Sequence, residues 1–428
     1  MKQFLIAIAI FCSYTIVAQD TVKIMTYNLL DYNNPTSYCT TDNNNLSVKD
    51  GYLRTIFSYE MPDIFAAHEV SGYVDASCKH LLDSVINVNG VTWYHRANFI
   101  NSNNSDIIST LFYDSRKFTL YNQNFLSGGV RDLMIFKLYY NSPDISTLYD
   151  TVFITCVAMH LKAGSTTSDQ SERAAETLML MNYINGVSGM GNCLTMGDFN
   201  VQSSNETCFQ NLINYPDSNV RFYDPINKPG DWNNNSSFAA FHTQSTSTDD
   251  NNTCMASGGM DDRFDFILAS YNIMNNISKV AYVPDSYLAV GQDGNHFNHS
   301  INNPTNNSVP SDVLDALAGM SDHLPVILKL KISQTHAIGI SEHFSKPETI
   351  KFENPVNDEA HFQIYSTKND TYILKMYNQL GCLITTYTYQ VYPGYNRISV
   401  PMNNFVSGLY YFNFVNSEKN TTLKIMKK

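Results

Sequence analysis

The chain has 428 residues, 43% of them hydrophobic, enough to fill the core of one large domain or of two to three ordinary ones. Charged residues make up only 15% while Asn, Tyr, Ser and Thr are plentiful, a balance that excludes wholesale disorder and favours turn-rich β structure over long solvated helices. A formal net charge of -12 excludes a broad basic surface for gripping nucleic acid, so a polyanionic substrate would need bound cations.

In chain order, Lys2, the apolar run Phe4 to Val17 and Ala18-Gln19-Asp20 have the three-part layout of a signal peptide over 1–19, with cleavage after Ala18 or Gln19. That run of about 14 residues falls short of the ~20 a spanning helix needs, and no later segment reaches that length, so no stable membrane insertion is expected. Over 20–333, short β-rich runs alternate with polar loops. The predicted strands are VKIMTYNLL, DIFAAHEV, IISTLFYD, LMIFKLYY, TVFITCVAMHL, NCLTMGD, DRFDFILAS and LPVILKLKI. Helices are predicted over Val48 to Glu60 and Ser171 to Ile184, the second opened by a serine cap and an acidic first turn. Two Asn-rich stretches, Asn233 to Thr253 and Asn295 to Ser311, lack periodicity and read as surface loops. The pattern lapses over 334–346, a linker, and 347–428 alternates apolar and polar residues between turn signals, as a small antiparallel β-sandwich does.

Of the cysteines, Cys12 leaves with the signal and seven remain, so at least one is unpaired. Cys156 and Cys193 lie in apolar runs, where a buried thiol behaves as a small hydrophobe. Cys39 with Cys78, and Cys208 with Cys254, lie in polar contexts and are the disulfide candidates of an exported protein. No Cys/His cluster has zinc spacing.

Polar residues recur where the apolar strands stop: Asn28 in MTYNLL, Glu69 in AAHEV, His160 in AMHLKAG, Asp198 and Asn200 in GDFN, Asp265 in DRFDFI, and Asp322-His323 in SDHLPV. Each has a plain reading on its own. Asn28 caps a turn, His160 is a satisfied core histidine, GDFN is a tight turn and Asp265 pairs with Arg263. Six such features at strand ends go beyond turn chemistry. Carboxylates, amides and histidines together are what phosphodiester hydrolysis needs: ligands for a hard cation, an activated water and an acid for the leaving oxygen.

In this order the motifs resemble those of the endonuclease/exonuclease/phosphatase superfamily, which includes deoxyribonuclease I, apurinic endonucleases and neutral sphingomyelinases. The resemblance covers 21–332, and GDFN and SDHLPV carry most of its specificity. It implies an α/β four-layer sandwich, two central mixed β-sheets flanked by helices, with the site at one edge. It also implies metal-side roles for Asn28, Glu69 and Asp322, the ion being Mg²⁺ (or Mn²⁺/Ca²⁺) as hard oxygen ligands favour. Asp198 would orient the attacking water, Asn200 hold a phosphate oxygen, His323 bind the scissile phosphate with Asp265 fixing its tautomer, and His160 protonate the leaving group. Asp106 is a candidate partner for His160. Arg131 and Arg173 are candidate substrate-binding residues through bidentate phosphate contacts. Where the family often has Gln before the metal-site Glu, this chain has His68. The implied activity is that of a secreted metal-dependent phosphodiesterase, foremost a monomeric extracellular endonuclease with nucleic acid, DNA and then RNA, as substrate. A sphingomyelinase-like phosphodiesterase is the alternative, and a non-enzymatic surface binding protein would have no need of both histidines and all the carboxylates.

The tail, with NPVND, MYNQLGCLI, GLYYFNF and a terminal KIMKK, resembles the C-terminal sorting domain of the type IX secretion system of the Bacteroidetes, although FENPV stands where YPNPV is usual. That resemblance implies export through the periplasm to the surface or medium, with the type IX secretion machinery as partner. A β-sandwich that binds carbohydrate or protein is the plainer reading.

Overall fold

The structure is a computed structural model and describes residues 19–142, 151–187, 190–333, 350–352, 354–366, 368–379, 381–392, 394–416 and 420–428. The predicted signal peptide, apart from Gln19, and the predicted linker 334–346 lie outside the described residues. The chain divides after residue 336 into two compact units, and each is described by itself.

Strands of the first unit are β1 (Gln19–Tyr32), β2 (Ile64–Ser71), β3 (Tyr94–Arg96), β4 (Ile107–Asp114), β5 (Phe118–Leu126), β6 (Leu133–Tyr140), β7 (Phe153–His160), β8 (Cys193–Asp198), β9 (Phe222–Tyr223), β10 (Asp265–Ser270), β11 (Val280–Tyr282), β12 (Leu288–Ala289) and β13 (Val326–Ser333). Its α-helices are α1 (Leu46–Glu60), α2 (Asp75–Leu81), α3 (Thr167–Gly186), α4 (Thr207–Ile213), α5 (Tyr271–Met274) and α6 (Ser311–Met320). One sheet has the order β11-β13-β1-β2-β4-β3, with β12 also on β13, and the other β5-β6-β7-β8-β10-β9.

Side chains of a strand alternate between its two faces, and this period sorts the apolar residues into layers. Val22 and Ile24 of β1, Ile64 and Ala66 of β2, Cys156 and Ala158 of β7, and Leu194 and Met196 of β8 fill one core between the two sheets. The alternate residues Met25, Tyr27 and Phe65 pack outward against Leu53 and Phe57 of α1 and Leu317 of α6. On the far side, Val157 and Met159 pack against Leu180 and Met181 of α3 and Phe209 of α4. The result is a four-layer α/β sandwich, helix-sheet-sheet-helix.

All eight predicted strands are present. The second helix starts a turn earlier than predicted, at Thr167, because Thr166 and Asp169 form a reciprocal capping box and Ser171 lies within the helix. The stretch after Asn233 is not wholly a surface loop: His242, Thr243 and Thr246 are buried within it.

The predicted cysteine pairs do not form. Cys39 is bonded to Cys254 across 215 residues of chain. Cys78 lies on the buried face of α2 and Cys208 on that of α4, in cores belonging to different outer layers. Their polar sequence neighbours are the outward faces of these short helices. Cys156 and Cys193 are buried free thiols as expected.

The second unit is a small β-sandwich. It has a three-stranded sheet, β14 (Lys351–Phe352), β15 (Glu359–Ser366) and β18 (Gly394–Pro401), in the order β14-β15-β18. The other sheet, of β16 (Asp370–Asn378), β17 (Leu383–Val391), β19 (Gly408–Val415) and β20 (Asn420–Lys427), has the order β17-β16-β19-β20. Phe362, Ile364, Leu374, Met376, Phe412 and Phe414 are among the residues of its core.

Peptide mapping without reductant should therefore recover Cys39 joined to Cys254 and Cys78 and Cys208 as thiols. Reducing the bridge should lower the unfolding free energy by about 2–5 kcal/mol, read by urea denaturation with and without dithiothreitol.

Candidate active site

The alternation that builds the inter-sheet core also delivers the polar residues. Continuing the inward-facing series of each strand by two places gives Asn28 after Ile24 and Thr26, His68 after Ala66, His160 after Ala158 and Asp198 after Met196. β7 and β8 are parallel with His160 beside Asp198, and β1 and β2 are parallel with Asn28 beside His68, so all four fall at one edge of the sandwich. Two sequence expectations change here. Asp265 opens β10 rather than ending a strand, and Asp322-His323 precede β13. Because β10 and β13 run antiparallel to β8 and β1, their starts lie at that same edge, with Asp265 directly opposite Asp198.

Two local irregularities shape the site. Pairing of β2 with β1 and β4 shifts register after residues 67–68, and Glu69 adopts φ 57°, so that the bulge turns its carboxylate towards Asn28. Gly197 of GDFN has φ 137°, and a Cβ there would lie 2.0 Å from the Met159 carbonyl and 2.6 Å from His68 Cε1. Only glycine fits that conformation and that approach. His68 sits between the Thr26 and Ser109 hydroxyls, each 2.8 Å away, and burial lowers its pKa to about 3, which leaves the ring neutral.

Asn28 is the hub. Its Nδ2 lies 3.0 Å from Glu69 Oε1 and 3.1 Å from Asp198 Oδ2, and its Oδ1 accepts from the Leu30 amide at 3.0 Å. Glu69 Oε2 accepts from the Asp31 amide at 2.9 Å. His323 Nδ1 is 2.7 Å from Asp265 Oδ2, while its Nε2 lies 3.8 Å from Asp198 Oδ2. His160 Nε2 lies 3.6 Å from Glu69 Oε1 and 3.5 Å from Asp198 Oδ2, and its Nδ1 has no partner among the described residues. Asp106, the candidate partner, instead takes the Tyr73 hydroxyl at 2.7 Å.

Burial raises the pKa of Glu69 and Asp198, and the neighbouring carboxylates add to it: Asp322 at Glu69, Asp265 at Asp198. Burial alone would lower His323, but the Asp265 and Asp198 carboxylates outweigh it and hold the imidazolium well above its usual range. At His160 burial prevails, aided by Arg131, and the ring is held neutral. The ligand atoms of Glu69, His160 and Asp198 all lie within 4.8 Å of one another. One buried and one half-buried carboxylate with an added neutral imidazole, short of positive charge, suit a divalent cation. This trio differs from the expected Asn28, Glu69 and Asp322. Asn28 spends its amide on the two carboxylates, and Asp322 Oδ2 accepts from Gln244 Nε2 at 3.2 Å and the Ala256 amide at 2.9 Å.

Asn200 adopts φ 53° and donates from Nδ2 to the Leu161 carbonyl at 3.2 Å, while its amide bonds Asp198 Oδ1 at 2.9 Å. Arg131 reaches the His160 and Leu161 carbonyls, each at 3.4 Å. Arg173 does not serve as a phosphate contact: it is fully buried, paired with Glu206 at 2.7 Å and bonded to the Lys162 and Gly164 carbonyls. Its helix turns it inward with Thr177 and Leu180, which sequence did not reveal.

Sequence reading missed two residues. Gln244 Nε2 lies 2.8 Å from His323 Nε2, supplied by a stretch with no periodic signal. Lys49 is buried beneath the site, donating to the Leu29 and Leu30 carbonyls at 2.6 and 2.5 Å and to Asn44 Oδ1 at 2.8 Å. Burial lowers its pKa to about 7. A lysine on the same helical stripe as Leu53 and Ile56 was a legible sign.

Residues 352–428 match the family model described as the secretion system C-terminal sorting domain. They are a type IX sorting domain, and the protein is secreted or displayed at the cell surface. None of the described helices is long and apolar enough to cross a membrane. No curated protein matches the chain. Similar solved structures include D. rerio TDP2 complexed with a single-strand DNA product, at 12% identity over 72% of this chain and 98% of that one, TM-score 0.45. An endonuclease/exonuclease/phosphatase family protein from Bacteroides thetaiotaomicron is 13% identical over 77% and 100%, TM-score 0.43. The human Nocturnin catalytic domain with bound sulfate is 13% identical over 74% and 98%, TM-score 0.43.

Stability supplied by the His323–Asp265 pair is complete below the unfolded histidine pKa of ~6.5 and is lost as pH rises through the higher folded value. Asp265→Asn should cost about 3–5 kcal/mol at pH 6 and less at pH 9, measured by urea unfolding at both. An equal loss at the two values would refute the pairing.

Proposed function

We propose that the first unit is a divalent-metal-dependent phosphodiester hydrolase working outside the cell as a nuclease, on DNA foremost and on RNA as well. The observation that carries this reading is the convergence at one sandwich edge of the Asp265-held His323 with Asp198, Asn28 and Glu69. Glu69, Asp198 and His160 would hold Mg²⁺, Mn²⁺ or Ca²⁺, and a bound ion of this kind neutralises charge on a phosphate and activates water.

The chain's own residues take the remaining tasks. Asp198 orients the attacking water with its carboxylate and accepts its proton. His323, kept protonated by Asp265, donates to a phosphate oxygen and serves as the acid for the leaving oxygen. His160 is neutral, which suits a ligand better than the acid role implied by the family resemblance. Asn200 and Arg131 contact phosphate oxygens at the open side. A leader over 1–19 removed on export, a linker over 334–346 and a monomeric enzyme complete the proposal.

Purified protein should nick plasmid DNA with Mg²⁺ and stop with EDTA, with RNA and sphingomyelin assayed in parallel. Asp198→Ala and His323→Ala should each lower kcat by about 10²–10⁴-fold. Unchanged rates in either variant would eliminate this mechanism.

A further inference from the structure

Beside the catalytic edge lies a cleft of ≈ 690 Å³, bordered by the β1–α1 loop, the loop before β4, Arg131 and the Cys39–Cys254 bridge. It joins the catalytic residues at two points. Asp31, on its wall, donates its amide to Glu69 Oε2 at 2.9 Å, and Arg131 reaches the His160 carbonyl at 3.4 Å. The volume falls in the range of about 300–1,000 Å³ typical of small-molecule sites.

Its chemistry differs from that of a phosphate-binding groove. Among the lining residues Arg131 is the one cation, set against the carboxylates of Asp31 and Asp106. A duplex presents one negative charge per ~1.7 Å of axis and would meet more repulsion than attraction here. One phosphate near Arg131, followed by an uncharged group rich in hydrogen-bond donors, matches the lining. Asn34 is 2% exposed and borders the cleft, and its Oδ1 has no hydrogen-bond partner among the described residues. A buried carbonyl acceptor left in this way calls for a donor. Ring N–H and exocyclic amino groups of nucleobases are such donors, and carboxylates and amide carbonyls accept from them.

The rim carries an aromatic side chain on a fixed backbone. Tyr38 is 70% exposed, yet its carbonyl accepts from Asn43 Nδ2 at 2.9 Å and Thr253 Oγ1 at 3.2 Å, and its neighbour Cys39 is locked to Cys254. A large ring held in water by a rigid loop is suited to stacking on a base, a contact open to every base because each has a π face.

We propose that this cleft is the subsite for one unpaired nucleoside flanking the scissile phosphate, with Tyr38 stacking on its base, so that single-stranded or frayed nucleic acid is cleaved in preference to duplex. The proposal rests on the hydrolase reading above and narrows its substrate. A paired base is stacked on both faces and has its Watson–Crick donors already engaged, so strand opening precedes entry.

The test uses the full chain with Mg²⁺ on three substrates: a 20-nucleotide single strand, the same strand in duplex, and bis(4-nitrophenyl) phosphate, which has no nucleoside. The single strand should be cleaved at least ten-fold faster than the duplex. Tyr38→Ala should lower kcat/KM on the single strand by roughly ten-fold or more, Tyr38→Trp should restore it, and neither should alter hydrolysis of bis(4-nitrophenyl) phosphate. Equal cleavage of single strand and duplex, or a parallel loss on the nucleoside-free ester, would overturn the subsite and leave the hydrolase standing. So would turnover of bis(4-nitrophenyl) phosphate but of neither DNA. Failure of the wild type on every phosphodiester would remove the hydrolase reading and the subsite with it.

Discussion

Carboxylates do not sit willingly between two apolar sheets, and the arrangement of this protein follows from how that burial is satisfied. Asp198 and Asp265 face each other across a strand pair, both withdrawn from water, with Glu69 and Asp322 close by. Unpaired, each would cost several kcal/mol. The amide of Asn28 bridges two of them, His323 takes a third, and the backbone amides of Asp31, Asn200 and Ala256 bond one carboxylate oxygen each. Among the described residues, His160 Nδ1 and one oxygen each of Asp265 and Asp322 are left without a protein partner in this region.

The same economy reaches outward from the cluster. Leu30 and Asp31 both take positive φ so that their amides point at Asn28 and Glu69, a conformation that side-chain-bearing residues seldom adopt. Lys49 offsets it by capping the two preceding carbonyls from below, at the cost of its own desolvation. The disulfide ties the end of this loop to the stretch carrying Gln244 and Ala256, which donate to Asp322. Carboxylate cluster, strained turn, buried lysine and cleft rim thus form one connected structure.

Much of this was readable in advance because it depends on local pattern. An apolar run that ends in a single Asn, His or Asp announces both a strand and a polar strand end, as GDFN does at the end of β8. The capping box at Thr166 and Asp169 is a local signal too, and it sets the helix start ahead of the serine five residues on. Arg173 shows the limit: an arginine on an amphipathic helix reads as surface, and only its packing against Glu206 and two carbonyls reveals it as an internal brace.

The sequence by itself determined the strands, the two-unit division with its sorting tail, and the identities of the polar residues at the sandwich edge, since these are written in periodicity and short-range motif. Only the tertiary structure decided which of them meet. Parallel and antiparallel pairing bring the ends of β1, β2, β7 and β8 and the starts of β10 and β13 to one edge, and the bulge at Glu69 turns its carboxylate inward. Cys39 finds Cys254 and Gln244 finds His323 for the same physical reason: contacts across 215 and 79 residues are set by sheet register and loop closure, which leave no local mark on the chain.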